Sequence, residues 1–139
     1  MEYKKVVSII LINPQKEILL QLRDDKPSIS APGYWAFIEG GVDEGENLDD
    51  AIKREVKEEI EIDIEDIEQV GKIFVKKDEI HKDNYEETIF KGKIDIPVSE
   101  IKLNEGQKVK YFKLKDLENI KFLKCVLDFI QKNKYKIFR

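Results

Sequence analysis

Blocks of apolar and polar residues alternate along the chain and predict an ordered series of strands. Residues 6–12 are rich in β-branched side chains and predict a buried strand. A turn signal at residues 13–16 follows, and residues 17–22 then predict the returning arm of a hairpin. Residues 24–34 contain two prolines and have no periodicity, which indicates a loop. Further strands are predicted at residues 35–38, 69–76, 86–94 and 109–114.

Two other segments have the pattern of helices. Residues 47–60 contain neither glycine nor proline and are long enough for about four helical turns. Near the end of the sequence, apolar residues recur at the spacing of an amphipathic helix. These residues are Phe122, Leu123, Val126, Leu127 and Ile130. Because helices and strands do not alternate regularly, the order favours an α+β fold, with a mixed β-sheet flanked by helices, over a doubly wound fold.

Composition is consistent with a single folded domain over residues 1–139. Hydrophobic residues make up 41% of the chain, enough for a core despite 39% charged residues, and this argues against an intrinsically disordered protein. A single cysteine excludes an intramolecular disulfide. The formal net charge of −4 disfavours sequence-independent binding to nucleic acid.

The apolar segments also bear on location. The longest apolar run, residues 6–12, is too short to span a bilayer, and the first residues lack a secretory signal pattern. We therefore expect a cytoplasmic protein that binds neither nucleic acid nor a membrane. The pattern does not distinguish a monomer from a homodimer.

The first predicted helix places acidic side chains on its apolar face. At about 100° per residue, Glu55 and Glu59 fall within the apolar sector and Glu58 lies at its edge. The residues that define this sector are Leu48, Ala51, Ile52 and Val56. Carboxylates one turn apart on an inward face repel each other and are costly to desolvate. The phase disfavours the alternative interpretation, a solvated charged surface.

A hard divalent cation would relieve both penalties. Oxygen ligands without histidine or cysteine nearby indicate Mg²⁺ or Mn²⁺ rather than zinc. Gly40 and Gly41 predict a turn that leads into the helix. Glycine permits close approach of the backbone there, and the helix start offers free N–H groups to a phosphate. Taken with the three glutamates, the two glycines predict a site for a diphosphate and its metal ion.

These residues together resemble the Nudix box, G-x5-E-x7-R-E-U-x-E-E-x-G-U, in which U is a bulky aliphatic residue. The positions that match it without a gap are Gly40, Glu46, Arg54, Glu55, Val56, Glu58, Glu59 and Ile62. The chain has 22 lysines but three arginines, and one of the three occupies the arginine position of the box. Trp35, Phe37 and the segments 105–107 and 111–114 also resemble the flanks of MutT-type members.

The resemblance implies a Nudix-type α/β/α sandwich and a reaction. The reaction is Mg²⁺-dependent hydrolysis of a diphosphate bond in a nucleoside diphosphate linked to another moiety, such as a nucleoside triphosphate or a nucleotide sugar. Glu55, Glu58 and Glu59 would hold the metal, and Glu55 or Glu105 would accept the proton of the attacking water. The implied catalytic residues also include Glu58 and Arg54. Together with Glu46, Arg54 would brace the loop against the helix. The candidate substrate-binding residues are Arg23, Trp35, Gly40 and Gly41.

Three positions depart from the family pattern. Glu61 replaces the last glycine of the box, and Ile38-Glu39 replaces the usual Pro-Gly ahead of it. These departures leave a non-catalytic nucleotide-binding sensor domain as the alternative function, and a scaffold domain as a third. If the helix ends as in the family, Glu61 adopts a left-handed backbone conformation.

Two further residues are expected to have no catalytic role. His81 is the only histidine and lies in a polar turn, so we expect it to be exposed. Cys125 lies in the apolar stripe of the last helix, which predicts a buried and inert thiol.

Overall fold

The computed structural model describes residues 2–139, which form a mixed seven-stranded β-sheet with helices on both faces. The strands are β1 (Lys4–Ile12), β2 (Ile18–Leu22), β3 (Trp35–Ala36), β4 (Ile38–Gly41), β5 (Ile67–Val75), β6 (Tyr85–Lys93) and β7 (Lys108–Phe112). The helices are α1 (Leu48–Ile60), α2 (Lys124–Lys132) and α3 (Lys134–Phe138), with short 3-10 turns at Val98–Glu100 and Leu114–Asn119. Among residues 2–139, no helix has the length and apolarity needed to cross a membrane.

Strand β1 lies at the centre of the sheet. It runs parallel to β6 on one side. On its other side it is antiparallel to β4 and, where the predicted hairpin turns, to β2. Strands β3 and β7 add to β2, while β5 pairs with β6 at the far edge. The coexistence of parallel and antiparallel pairs confirms the predicted mixed sheet.

The two faces of the sheet bury separate hydrophobic cores. Successive residues of β1 point to opposite faces, so Ile9 packs in the core that contains α1 and Ile10 packs in the core that contains α2 and α3. Helix α1 contributes Ala51, Ile52 and Val56 to the first core, and all three are fully buried. Helices on both faces of one sheet make the α/β/α sandwich that the resemblance implies.

Two segments differ from the prediction. The single strand predicted at residues 35–38 is divided, because β3 pairs with β2 whereas β4 pairs with β1, and the buried Phe37 lies between them. The C-terminal helix begins only at Lys124, since the backbone N–H of Trp35 donates to the carbonyl of Lys121 and holds the preceding segment extended.

Cys125 is exposed, so its predicted burial is wrong: Val126 and Ile130 form the buried face of α2, and Cys125 lies to one side of it.

Candidate functional site

Helix α1 directs two glutamates into the protein and a third outward. Asn47 caps the helix, its side chain accepting a hydrogen bond from the backbone N–H of Asp50 at 2.8 Å. Glu55 is 9% exposed and Glu59 only 2%, whereas Glu58 is exposed. The inward phase predicted for Glu55 and Glu59 is confirmed.

The guanidinium of Arg54 joins α1 to the loop before it. Its Nε and Nη2 donate to the two carboxylate oxygens of Glu46 at 2.8 and 2.9 Å, and Nη2 also donates to the carbonyl of Gly41 at 2.9 Å. Nη1 donates to Glu55 at 2.8 Å and, at longer range, to Glu58. Hydrogen bonds from Arg54 and from the backbone of Asp43 lower the pKa of Glu46 to about 2. Hydrogen bonds to Glu46 and then Glu55 raise the pKa of Arg54, so this side chain stays charged. The bidentate geometry is one that lysine cannot reproduce.

Gly40 is required by the position of Glu55. A Cβ atom added at Gly40 would overlap the Glu55 carboxylate, whereas a Cβ at Gly41 would meet nothing within 4 Å. Strand β4 therefore approaches helix α1 so closely that the carboxylate fills the space of a side chain. The two glycines end a strand rather than form the predicted turn.

Glu59 is the most deeply buried of the three α1 glutamates. Gln21 Nε2 donates to its Oε1 at 2.8 Å, while its Oε2 is buried and has no hydrogen-bond partner among residues 2–139. Burial, followed by the neighbouring carboxyls of Glu55 and Glu105, raises the pKa of Glu59 to about 10. A buried carboxyl oxygen without a partner is costly, and here it lies beside two further acids.

These acids fit a hard cation in their chemistry, although they are not gathered as a finished metal site. Across residues 2–139, no three Asp, Glu, His or Cys side chains converge in a way that could hold an ion. Two of the three α1 glutamates, Glu55 and Glu58, form ion pairs with Arg54. The donor set is made of carboxylate oxygens only, and Oε2 of Glu59 is free, which suits Mg²⁺ or Mn²⁺.

Asn104 holds the loop that carries Glu105 against the end of α1. Its backbone N–H donates to the carbonyl of Glu59 at 2.8 Å, and its side-chain amide donates to the carbonyl of Glu58 at 3.0 Å. Glu105 is exposed, yet its charge contributes to the raised pKa values of Glu59 and Glu39. Sequence reasoning missed both Gln21 and Asn104, since their partners are distant in the chain.

A cleft of about 250 Å³ opens on the opposite face of the sheet from α1. Among the residues that line it are the predicted Arg23, Trp35, Gly40, Gly41 and Glu105. Arg23 Nη1 donates to Glu39 Oε1 at 2.9 Å inside the cleft. The α1 glutamates lie behind β4, so Gly40 is where the cleft and the acidic cluster meet.

His81 also lines this cleft, and the prediction that it is exposed is wrong. It is 8% exposed, its ring packs edge-on against Tyr85, and its Nδ1 lies 3.1 Å from Asp78 Oδ1. The backbone N–H of Ala31 donates to the carbonyl of Ile80, which joins the two loops around the histidine. A polar turn gives no sign of such a tertiary contact.

The sequence of this chain is similar to those of known proteins. Residues 2–132 match the family model of the NUDIX domain. The chain is 33% identical over 117 residues to an RNA pyrophosphohydrolase of Francisella tularensis, covering 81% of this chain and 62% of that protein. It is 39% identical over 66 residues to the dihydroneopterin triphosphate diphosphatase of Escherichia coli K12, covering 45% of this chain and 40% of that protein. These matches span less than two thirds of either relative.

The solved structures agree on the fold. A MutT protein from Methanosarcina mazei Go1 superposes with a TM-score of 0.82 at 22% identity, covering 99% of this chain and 96% of that one. The chain belongs to the NUDIX family.

Proposed function

We propose that this protein hydrolyses a phosphoanhydride bond in a small nucleotide derivative and requires Mg²⁺ or Mn²⁺ to do so. The observation that carries the proposal is the buried Glu59 carboxyl, with one oxygen free and two further acids beside it, at the point where β4 opens onto a cleft. The relatives' names, a triphosphate diphosphatase and an RNA pyrophosphohydrolase, denote the same class of bond.

Glu55, Glu58 and Glu59 are the residues that would hold the cation. Two carboxyls one helical turn apart, of which one is fully buried, are stable together only when something neutralises them. When bound, Mg²⁺ supplies charge neutralisation for the phosphates and acidifies a water molecule. Arg54, which contacts both Glu55 and Glu58, neutralises part of this charge.

The remaining residues position the substrate and the proton. Arg54 and Glu46 hold the loop against α1, which fixes the carbonyl of Gly41 and the close approach at Gly40. Glu105 and Glu55 are the two candidates to accept the proton of the attacking water, because both lie next to Glu59. On the cleft side, Arg23 and Trp35 would contact the group attached to the phosphates.

The test is the release of phosphate or pyrophosphate from a panel of nucleoside triphosphates and nucleotide sugars, with Mg²⁺ and with a chelator. Glu59→Gln keeps the shape and the acceptor for Gln21 but removes the charge. We expect it to lose at least tenfold in turnover, about 1.4 kcal/mol. Glu65→Gln is the matched control, because its side chain is 83% exposed.

Turnover of Glu59→Gln within threefold of the parent would refute the metal role of this residue. Nucleotide binding without turnover in the parent would instead identify the alternative function, a non-catalytic sensor.

A further inference from the structure

Three polar side chains form a row across neighbouring strands at the cleft: Glu39 on β4, Ser8 on β1 and Glu87 on β6. Ser8 is the register partner of Glu39, and Val6, two residues from Ser8, is the register partner of Glu87. Since residues two apart on a strand share a face, all three side chains project from the face opposite α1. Ser8 Oγ donates to Glu87 Oε2 at 2.7 Å.

The two carboxyls of this row are expensive to keep in the protein. Glu87 is 7% exposed, and among residues 2–139 it forms no ion pair, while Arg23 neutralises only Glu39. Burial, and then the neighbouring Glu39, raises the pKa of Glu87 to about 8. A hydrogen bond to Ser8 alone could be made equally well by a glutamine, without the cost of burying an acid. This burial indicates a role in contacting a ligand.

Each carboxyl retains an oxygen for that ligand. Ser8 engages Oε2 of Glu87 and Arg23 engages Oε1 of Glu39, and in residues 2–139 no protein group donates to the other oxygen of either side chain. Both residues line the cleft. Each free oxygen can accept a hydrogen bond, and a ligand that donates to both oxygens favours the ionised form of the two carboxyls. The ligand that satisfies them therefore donates at more than one position.

The rest of the cleft suits a flat ring. Its walls include the aromatic side chains of Trp35, Phe37, Tyr85 and Phe122, and aromatic faces stack on heterocycles. Its volume of about 250 Å³ lies just below the range of roughly 300–1,000 Å³ for drug-sized ligands, and therefore fits one ring system.

We propose that Glu39 and Glu87 determine specificity by selecting a heterocycle with a ring N–H beside an exocyclic amino group, the edge that guanine and pterin rings share. Uracil and cytosine rings, and adenine, turn an acceptor toward one of the carboxyl oxygens and are repelled there. This inference rests on the proposed function, because the selected ring would be the group attached to the hydrolysed phosphates.

The test is equilibrium binding by calorimetry in a chelator, so that neither metal nor hydrolysis enters. The probes are GMP, IMP (which lacks the exocyclic amino group), UMP and neopterin, which has the same edge without a phosphate. We expect GMP or neopterin to bind at least tenfold more tightly than IMP and UMP. We expect Glu87→Gln to reduce that difference to less than threefold.

Glu86→Gln is the matched control, because Glu86 lies on the same strand, pairs with Lys72 and does not line the cleft. Thermal unfolding of each variant confirms that it folds. Binding of IMP by the parent within threefold of GMP and neopterin would overturn the proposal, as would no binding of any probe at millimolar concentration. A preference that survives Glu87→Gln would do so as well. If the preference holds in a protein without turnover, the proposed hydrolysis alone fails.

Discussion

Glu61 has a left-handed backbone conformation, with φ 54° and ψ 39°, at the C-terminal end of α1. A residue with a Cβ in this conformation costs roughly 1 kcal/mol, and a negative charge at this end of a helix adds a few tenths. Asn104 Nδ2 donates to Glu61 Oε2 at 3.0 Å, which offsets part of the cost. The helix therefore keeps its glycine-type ending without glycine.

Glu61→Gly should be neutral to stabilising, by at most about 1 kcal/mol, because the relief of strain is countered by the entropy of glycine in the unfolded chain. Turnover should remain within a few-fold, since Glu61 lies outside the buried face of α1. Chemical denaturation and an activity assay measure the two quantities. A hundredfold loss of turnover in a folded variant would make Glu61 part of the site.

Gly40→Ala should reduce turnover and Mg²⁺ affinity by at least tenfold each, because its Cβ displaces the Glu55 carboxylate. Gly41→Ala is the steric control: its Cβ meets nothing within 4 Å, so its thermal midpoint should stay close to that of the parent. Equal losses of Mg²⁺ affinity in the two variants would contradict the account of close approach.

At the scale of single residues, periodicity predicted which side chains of a helix face inward. It did not predict contacts between residues that are distant in the chain. The inward phase of Glu55 and Glu59 follows from helical spacing alone. Gln21 lies 38 positions from its partner Glu59, and the burial of His81 depends on a contact between two loops. A periodic pattern in the sequence indicates neither of these two contacts.

At the scale of elements, Arg54 fastens the loop after β4 to helix α1. Arg54→Lys keeps the charge but cannot make the paired bonds to Glu46 together with the bond to the carbonyl of Gly41. We expect a loss of about 1–3 kcal/mol in the free energy of unfolding and at least tenfold in turnover. Both are measured on the purified variant by denaturation and activity assays.

Arg139→Lys is the control for the same exchange, since Arg139 contacts Glu68 at the surface and should change stability by no more than about 0.5 kcal/mol. If Arg54→Lys changed stability and turnover as little as this control does, the guanidinium of Arg54 would not be what holds the loop to the helix.

Element boundaries were predictable where local signals decide them. Helix α1 was predicted at residues 47–60 and extends over Leu48–Ile60, because Asn47 is a strong cap and the preceding loop is polar. The division of residues 35–41 into β3 and β4 was not predictable, because it depends on which neighbouring strand each half pairs with. The late start of α2 likewise depends on contacts with Trp35.

At the scale of the whole molecule, the sheet separates two groups of acids. Glu55 and Glu59 lie on the α1 side, whereas Glu39 and Glu87 lie on the cleft side. Because burial raises the pKa of Glu87 from 4.5 to about 8, the folded protein keeps a proton that the unfolded chain releases.

Without metal, stability should therefore fall as the pH rises from about 4.5 to 8, at up to about 1.4 kcal/mol per pH unit for this group. Glu59 acts in the same direction. Glu46 acts oppositely, and its stabilising contribution is lost only as the pH falls from 4.5 towards 2. Thermal midpoints in a chelator across this range should fall less steeply for Glu87→Gln than for the parent. Superimposable profiles would show that Glu87 is not a buried, protonated acid.

We expect the cluster around Glu59 to bind a divalent cation, and a titration of the thermal midpoint with Mg²⁺ measures this binding without any substrate. A ligand that binds only the folded state stabilises it by mass action, by about 1.4 kcal/mol when its concentration is tenfold above Kd. We expect Mg²⁺ to raise the thermal midpoint of the parent and of Glu65→Gln. For Glu59→Gln, the same rise should require an Mg²⁺ concentration at least tenfold higher. A parent midpoint unmoved by millimolar Mg²⁺, with or without nucleotide, would contradict the claim.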